Sequence, residues 1–283
     1  MKKSNLLLIA IFTFVFAFSA AAQSEGLIKR TVYKNDRFDF GVGGTLVVVG
    51  APNGSVRVEG WKNREVEISA EIVIQAPNEA ALDKLATVTG FLLDESVIRT
   101  SITSIGTHDK KALKQMDKKF PKELMNMPAR IDYVIKVPQY TDLEITGGSG
   151  DLHISGVEGT MRVNYLATNA TIDLVGGGIT AIFGSGNVKI SIPTSRWRGR
   201  FADVQMASGE LDVVLPYGLN SEFDASILRT GKIENAFSGF KPRVRKAEFT
   251  ERSIVAKSGT GVTPLRFTLG DGTMRIVESG KPS

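Results

Sequence analysis

The sequence predicts an all-β protein whose central part is a β-solenoid with coils of about 20 residues. A short phrase recurs three times: Gly-Ser-Gly-Asp-Leu-His-Ile at 148–154, Gly-Ser-Gly-Asn-Val-Lys-Ile at 184–190 and Ala-Ser-Gly-Glu-Leu-Asp-Val at 207–213. The glycines of these phrases can adopt a positive φ without a Cβ clash, and alternating apolar residues follow them. Each copy therefore predicts a tight turn and a half-buried strand, with corners at Gly150, Gly186 and Gly209.

The spacing of the apolar pairs supports the solenoid. The strongest pairs begin at Leu152, Ile172, Val188, Leu211 and Ile233, so successive pairs are separated by about 20 residues. Two strands and two turns for each period are typical of a solenoid coil, and each coil adds about 4.8 Å to the stack. We expect a short stack, one end of which is covered by the N-terminal third of the chain and its helix.

Residues 1–22 predict a cleaved secretory signal peptide. Lys2 and Lys3 precede an apolar run over 6–18, and the small residues 19–22 follow it. The run is shorter than the about 20 residues that a membrane span needs, which favours cleavage after Ala22 over an uncleaved anchor. The sequence therefore predicts export, to the periplasm or to the cell surface.

Composition excludes several classes of chemistry. The chain has no cysteine, so it has no disulfide, no thiolate chemistry and no lipid-modified cysteine. Removal of the two signal lysines lowers the formal charge from +5 to +3. The basic residues are also dispersed, which argues against a nucleic-acid partner.

After an exposed leader at 23–36, the sequence predicts one domain over 37–277 and a tail at 278–283. Asn78 to Val88 is the one convincing helix, with Asn78 as its N-cap and a stripe of Ala81, Leu82, Leu85 and Val88. Two insertions interrupt the domain. The first, 104–129, is a lysine-rich solvated excursion, and the second, 236–262, is a basic segment expected to bulge from the stack.

With these features the chain resembles the bacterial putative-adhesin family of exported β-solenoid domains of unknown function. The resemblance lies in Gly-Ser-Val-Arg-Val-Glu-Gly-Trp at 54–61, the repeats from Gly147 to Val213 and Gly-Asp-Gly-Thr-Met-Arg-Ile at 270–276. It covers about Phe38 to Val277. It implies an envelope or surface location and a binding role, and it supplies no catalytic residues.

Candidate catalytic and metal-binding residues are few. His108 and His153 are the two histidines, and neither has a second histidine for metal ligation, so we predict no catalytic residue, metal or cofactor. The glycine-rich stretch 147–151 is similar to a calcium-binding β-roll repeat, but its spacing differs by one residue. The equivalent positions are Asn187, Glu210, Lys232 and Thr273, so turn chemistry is favoured over calcium.

An outward row of mixed charge offers an alternative. Alternation places one set of polar side chains on one face: His153, Asp173, Lys189, Asp212 and Glu234. Asp173 and Asp212 on either side of Lys189 would suit a polysaccharide-acting enzyme, whereas a solvated ladder is the simpler interpretation. A groove with aromatic platforms would favour the enzyme, and the nearby aromatic residues are Tyr165, Phe183 and Trp197.

Two basic clusters are the candidate ligand-binding residues. The first contains Arg196, Trp197, Arg198 and Arg200, and the second contains Lys241, Arg243, Arg245 and Lys246. Both suit an acidic glycan or an anionic lipid headgroup. We therefore predict a non-enzymatic, adhesin-like binding or scaffolding module. The alternatives are an enzyme on polysaccharide and a structural protein that self-associates through one end of the solenoid or binds another envelope protein.

The alternation can be tested at two adjacent residues. Val188→Asp should unfold the stack because it places a charge in the core, whereas Lys189→Asp should change the melting temperature little. Equal melting temperatures for the two variants, measured by circular dichroism, would contradict the assignment of inward and outward side chains.

Overall fold

The computed structural model describes residues 26–96, 98–245 and 248–280, and 62 % of these residues are in β-strands. The predicted signal peptide lies outside the described residues. The helices are short: α1 spans Glu79–Val88, α2 spans Lys110–Met116, and a 3-10 turn spans Lys122–Leu124. The all-β prediction is confirmed.

The strands form one open sheet. The strands of the N-terminal half are β1 (Ile28–Asp39), β2 (Thr45–Val49), β3 (Val56–Trp61), β4 (Glu65–Ala76), β5 (Gly90–Asp94), β6 (Arg99–Ile105), β7 (Ala129–Pro138), β8 (Asp142–Ser149) and β9 (Leu152–Ser155). The remainder are β10 (Thr160–Asp173), β11 (Gly178–Ser191), β12 (Phe201–Pro216), β13 (Ser221–Asn235), β14 (Lys241–Pro242), β15 (Ser253–Ser258) and β16 (Thr263–Ser279).

The pairing divides the sheet into two half-sheets that share the long strands. The leading half-sheet has the order β5-β6-β2-β8-β10-β11-β12-β16-β13-β15-β14, and it uses the first halves of the long strands. The trailing half-sheet has the order β1-β4-β7-β3-β9-β10-β11-β12-β16-β13 and uses their second halves. In the leading half-sheet all strand pairs from β6 to β13 are parallel, and in the trailing half-sheet all strand pairs from β7 to β13 are parallel. Antiparallel pairs lie only at the ends of the two half-sheets.

A corner lies in the middle of each long strand. In β10 the buried side chains are odd-numbered before the corner, as at Met161 and Val163, and even-numbered after it, as at Ala170 and Ile172. This change of parity keeps the buried side of the strand continuous while the chain changes direction. In β11, Val188 is buried and Lys189 is exposed, as the sequence predicts.

Glycines from neighbouring strands stack at this corner, in the order Gly54, Gly150, Gly186, Gly209, Gly272 and Gly231. At Gly186 φ is +129°, and an added Cβ would lie 1.8 Å from the carbonyl oxygen of Thr168. At Gly209 φ is +126°, and an added Cβ would lie 2.1 Å from the carbonyl oxygen of Gly186. At these glycines the strands therefore approach so closely that a side chain would overlap the next strand. The positive φ predicted at Gly150, Gly186 and Gly209 is confirmed.

The order of the last strands differs from the order along the chain. The spacing predicts that the strand at Leu211 neighbours the strand at Ile233, but Met274 of β16 lies between them. The C-terminal strand thus occupies a gap between β12 and β13. Alternating strands of similar length present the same pattern of backbone donors and acceptors, so the apolar spacing does not specify which strand fills the gap.

The predicted leader at 23–36 is mostly exposed over its described residues, but β1 begins at Ile28 and pairs along its full length with β4, so the sheet begins before residue 37. The prediction of α1 is confirmed: the Asn78 side chain accepts a hydrogen bond from the backbone N–H of Ala81, and the predicted apolar stripe is buried. β1 and β4 lie at one end of the trailing half-sheet, as expected, whereas β2 and β3 lie inside the stack. The second insertion contributes β14 and β15, which extend the leading half-sheet.

The glycine stack predicts that replacement of glycine by alanine lowers the free energy of unfolding much more at the corner than elsewhere. Gly186→Ala should lower the free energy of unfolding by about 3 kcal/mol, because the new Cβ overlaps the Thr168 carbonyl and φ is positive. Gly41→Ala is the control, since nothing lies within 4 Å of its added Cβ. Urea denaturation measures both variants, and equal midpoints would contradict the close approach of the strands.

Candidate functional site

The first predicted cluster lies on the loop 192–200 between β11 and β12. Trp197 is only 8 % exposed and belongs to the core, so its ring is not a platform for a ligand. The guanidinium of Arg200 donates to Thr160 Oγ1, and its backbone N–H donates to the carbonyl of Gly177 over 2.6 Å. Arg196 and Arg198 are exposed and form no ion pair with any described residue. The loop thus presents two unpaired guanidinium groups and no exposed aromatic ring.

The second cluster lies on β14 and the turn after it. The guanidinium of Arg243 donates to Asp224 over 2.5 Å and to Glu222 over 3.3 Å. Its charge is therefore compensated by two carboxylates of β13. Lys241 and Arg245 are exposed. Lys246 lies outside the described residues. This segment therefore presents less free positive charge than its sequence predicts.

The structure does not bring the two clusters together. The cross-strand row next to the first cluster leads from Ala202 through Leu265, Phe223 and Ala256 to Pro242, next to the second. These four strand spacings of about 4.8 Å separate the clusters by roughly 19 Å. A single small ligand could not contact both.

The outward row of the trailing half-sheet differs from the predicted one at two positions: Thr171 takes the place of Asp173, and Arg275 lies between Asp212 and Glu234. Its order is His153, Thr171, Lys189, Asp212, Arg275 and Glu234. The predicted place of Asp173 is wrong, because Asp173 pairs with Ser191, two residues further along the strand. Asp173 and Asp212 therefore do not lie on either side of Lys189 in one row.

Arg275 is the centre of an ion-pair network on this row. Its guanidinium lies 2.9 Å from Glu210, 3.5 Å from Asp212 and 3.4 Å from Glu234. The hydrogen bond from Arg275 holds the pKa of Glu210 below its ordinary value. The pKa of Glu234 is also lowered, first by Lys232 and then by Arg275. These carboxylates are held ionised, which suits cross-strand pairing and not the protonated acid of a glycosidase.

The predicted calcium position is part of a side-chain ladder. Asp151 Oδ1 accepts a hydrogen bond from Asn169 Nδ2 over 3.2 Å, and Asn169 Oδ1 accepts one from Asn187 Nδ2 over 3.1 Å. Asn169 is a member of this row that the sequence interpretation missed. In the part of the chain that the structure describes, no three histidine, aspartate or glutamate side chains converge in a way that could hold a metal ion.

The aromatic residues near the row are buried. Tyr165 is 4 % exposed and Phe183 is 1 % exposed, and burial raises the pKa of the Tyr165 hydroxyl. With Trp197 also buried, none of the three forms a platform beside the carboxylates. The observation that would favour a polysaccharide-acting enzyme is thus not met by these residues.

A group of exposed lysines lies in the first insertion, the segment predicted to be solvated. We define the lysine face as its exposed lysines, none of which forms an ion pair with a described residue: Lys110, Lys111, Lys114, Lys118, Lys119 and Lys122. The neighbouring carboxylates accept backbone hydrogen bonds and form no ion pair with these lysines. Asp109 accepts two such bonds at the start of α2, and Asp117 accepts one from the N–H of Lys119. The run of lysines in the sequence was the signal for this face.

None of the helices among the described residues has both the length and the apolar character needed to cross a membrane.

Comparison with models of protein families finds no match, and comparison with curated proteins finds none. Among solved structures, a putative cell adhesion protein from Clostridium sporogenes is 12 % identical, with coverage of 88 % of this chain and 100 % of that chain and a TM-score of 0.48. A putative adhesin from Bacteroides fragilis is 12 % identical, with coverage of 87 % and 97 % and a TM-score of 0.30. A putative lipid binding protein from Parabacteroides distasonis is 12 % identical, with coverage of 88 % and 95 % and a TM-score of 0.27. Similarities at this level establish no shared function.

The role of Arg275 can be measured by titration. In Arg275→Gln the pKa of Glu210 should rise towards its ordinary value, and that of Glu234 should rise less because Lys232 still contacts it. Both pKa values are lowered by folding, so both carboxylates stabilise the fold at pH values above their ordinary pKa. This contribution is lost as the pH falls through the folded-state pKa. Carboxyl-detected NMR titration measures the change, and equal rises at the two sites would contradict the network.

Proposed function

We propose that this chain is an exported, non-enzymatic, adhesin-like binding module of the bacterial cell envelope, and that the lysine face docks it on an anionic lipid surface. The signal peptide predicted at 1–22 supports export, to the periplasm or the cell surface. The single observation that carries the docking is the run of exposed, unpaired lysines around α2.

The contrast with the sheet surface supports this proposal. On the leading half-sheet, Arg99 donates to Glu144 over 2.7 Å, Arg266 lies 3.4 Å from Asp203, and Arg243 contacts Asp224. Opposite charges there neutralise each other across strands. The lysine face lies outside the ladders and has no such partners among the described residues, so its charge is available to an external anion.

The type of cation favours a lipid surface over one acidic glycan site. An ammonium group is a point charge on a flexible stem, whereas recognition of a fixed carboxylate or phosphate group usually employs the planar fork of arginine. Met116, 43 % exposed, adds an apolar side chain among the lysines. Each lysine near an anionic surface contributes about 1 kcal/mol, so six together suffice for salt-sensitive docking.

We also propose that the two half-sheets and their shared corners form a short β-solenoid, which acts as the rigid scaffold for this excursion. Parallel pairing in register from β10 to β16 and the stacked corner glycines support this architecture. Stability in such a stack comes mainly from contacts between neighbouring coils. Excursions that leave the stack can therefore carry a binding surface without disturbing it.

The two alternatives have less support. The enzyme was predicted to use Asp173 and Asp212 on either side of Lys189, and Asp173 lies outside the row that contains Lys189 and Asp212. Self-association through an end of the sheet stays a prediction. β1 offers a long outer edge with no paired strand in the described residues, but its charged side chains, such as Lys29 and Asp36, are typical protection against edge pairing.

Vesicle binding tests the lysine face. The chain from residue 23 onwards should cosediment with vesicles of phosphatidylcholine and phosphatidylglycerol at about 150 mM salt, where the Debye length is near 8 Å. The triple variant Lys114→Gln, Lys118→Gln and Lys122→Gln should lose about 3 kcal/mol of binding, which is roughly a hundredfold.

The matched control removes three exposed lysines elsewhere, as Lys62→Gln, Lys84→Gln and Lys257→Gln. It has the same net charge as the triple variant, so only the position of the charge differs. Equal loss in the two variants, or equal binding to pure phosphatidylcholine, would contradict docking by the lysine face. Retention on heparin without vesicle binding would point to an acidic glycan.

A further inference from the structure

A cavity of about 210 Å³ lies beside the first insertion, on the side of the stack where β3 begins. Four stretches of chain line it. These are the loop before β3, Thr89 at the end of α1, the residues after β6, and the segment that enters β7. The cavity is separate from both basic clusters and from the Arg275 network.

The polar side chains that line the cavity are two amides, two hydroxyls and one imidazole: Asn53, Asn126, Thr89, Thr107 and His108. Each type can both donate and accept hydrogen bonds. The remaining lining is mainly apolar and includes Met127 and Ile131. A charged ligand would find no counter-charge on this lining, whereas a neutral ligand with several hydroxyl groups and an apolar face would match it.

A second observation points to a ligand. Thr89 is 9 % exposed, and its Oγ1 atom is buried without a hydrogen-bond partner in the described structure. Asn53, His108 and Asn126 are exposed and Thr107 is partly exposed, and their side chains form no hydrogen bond with a described residue. Buried polar atoms are normally satisfied, so the Thr89 hydroxyl is an exception in the wall of this cavity, and the other polar side chains of the wall are free to bind a molecule.

The cavity continues into a groove. Asn53, Pro128 and Ala129 also line a second depression of about 290 Å³, which includes Gln75 and Arg130. Asn53 and Arg130 then line a third, shallower depression of about 680 Å³ that reaches Asp151. Because neighbouring depressions share residues, one extended molecule could occupy the cavity with its end and follow the groove with the rest.

We propose that this cavity binds one neutral sugar unit, and that the groove leading from it accommodates the adjoining units of an oligosaccharide. The unpartnered polar side chains of the cavity supply hydrogen bonds to the sugar hydroxyls, and Met127 and Ile131 contact the apolar face of the ring. The site goes beyond the proposed docking of the lysine face and does not require it.

Saturation-transfer NMR on the chain from residue 23 onwards tests the proposal. The probes are methyl glycosides of glucose, galactose, mannose, N-acetylglucosamine and N-acetylgalactosamine, with methyl glucuronide as the charged comparison. At least one neutral glycoside should receive saturation. Its dissociation constant should rise at least about tenfold in Thr89→Val and in Asn126→Ala, since each removes a polar group that faces no partner in the protein.

Thr168→Val is the matched control. Thr168 is also buried with an unpartnered Oγ1, but it lies at the corner of β10, away from the cavity. This variant should bind the glycoside as the parent chain does, and so should the triple lysine variant, which separates this site from the lysine face. Asn126 is exposed, so its substitution tests the site even if Thr89→Val fails to fold.

Three results would overturn the proposal. The first is the absence of saturation transfer to every neutral glycoside. The second is an equal effect of Thr89→Val and Thr168→Val together with no effect of Asn126→Ala. The third is selective binding of the glucuronide, which would contradict the neutral class that the uncharged lining predicts.

Discussion

Close approach of backbones at the mid-strand corner is the constraint on which the rest of the structure depends. An added Cβ at Gly54, Gly150, Gly272 or Gly231 would lie 1.8–1.9 Å from a carbonyl oxygen of the next strand, as at Gly186. The glycines allow β10, β11, β12 and β16 to turn without losing register, so both half-sheets keep one continuous core, and β13 shifts register just before its corner. Thr168 is the exception in the row, and its buried Oγ1 lacks a partner in the described structure.

Regular stacking also organises the charges. Side chains in register lie about 4.8 Å apart in neighbouring strands, so opposite charges such as Arg275 and Asp212 meet across the sheet. This arrangement explains why several basic residues that stand out in the sequence are unavailable to a ligand, with Arg243 the clearest case. The lysine face escapes this pairing because the excursion around α2 leaves the ladders. Its charge remains for an external partner.

The same excursion forms a wall of the cavity. Residues at its two ends, His108 and Asn126, line the space beside Thr89, and the lysines lie between these ends in the sequence. Both proposed surfaces therefore depend on one segment that interrupts the repeats, held by a scaffold of backbone pairing and buried aliphatic side chains. Binding residues carried by loops on a rigid framework are common, since loops tolerate changes that a packed ladder does not.

Local sequence pattern alone determined the all-β class, the corner glycines, the α1 helix with its Asn78 cap and the inward position of Val188. These features depend on neighbouring residues and on apolar residues that recur with a period of two or of 3.6. Tertiary structure decided the place of β16 between β12 and β13, the burial of Trp197 and the meeting of Asn53, Thr89 and Asn126 around one cavity. These features depend on which distant segments become neighbours. Alternating strands present similar edges to many partners, so their pattern cannot specify that choice.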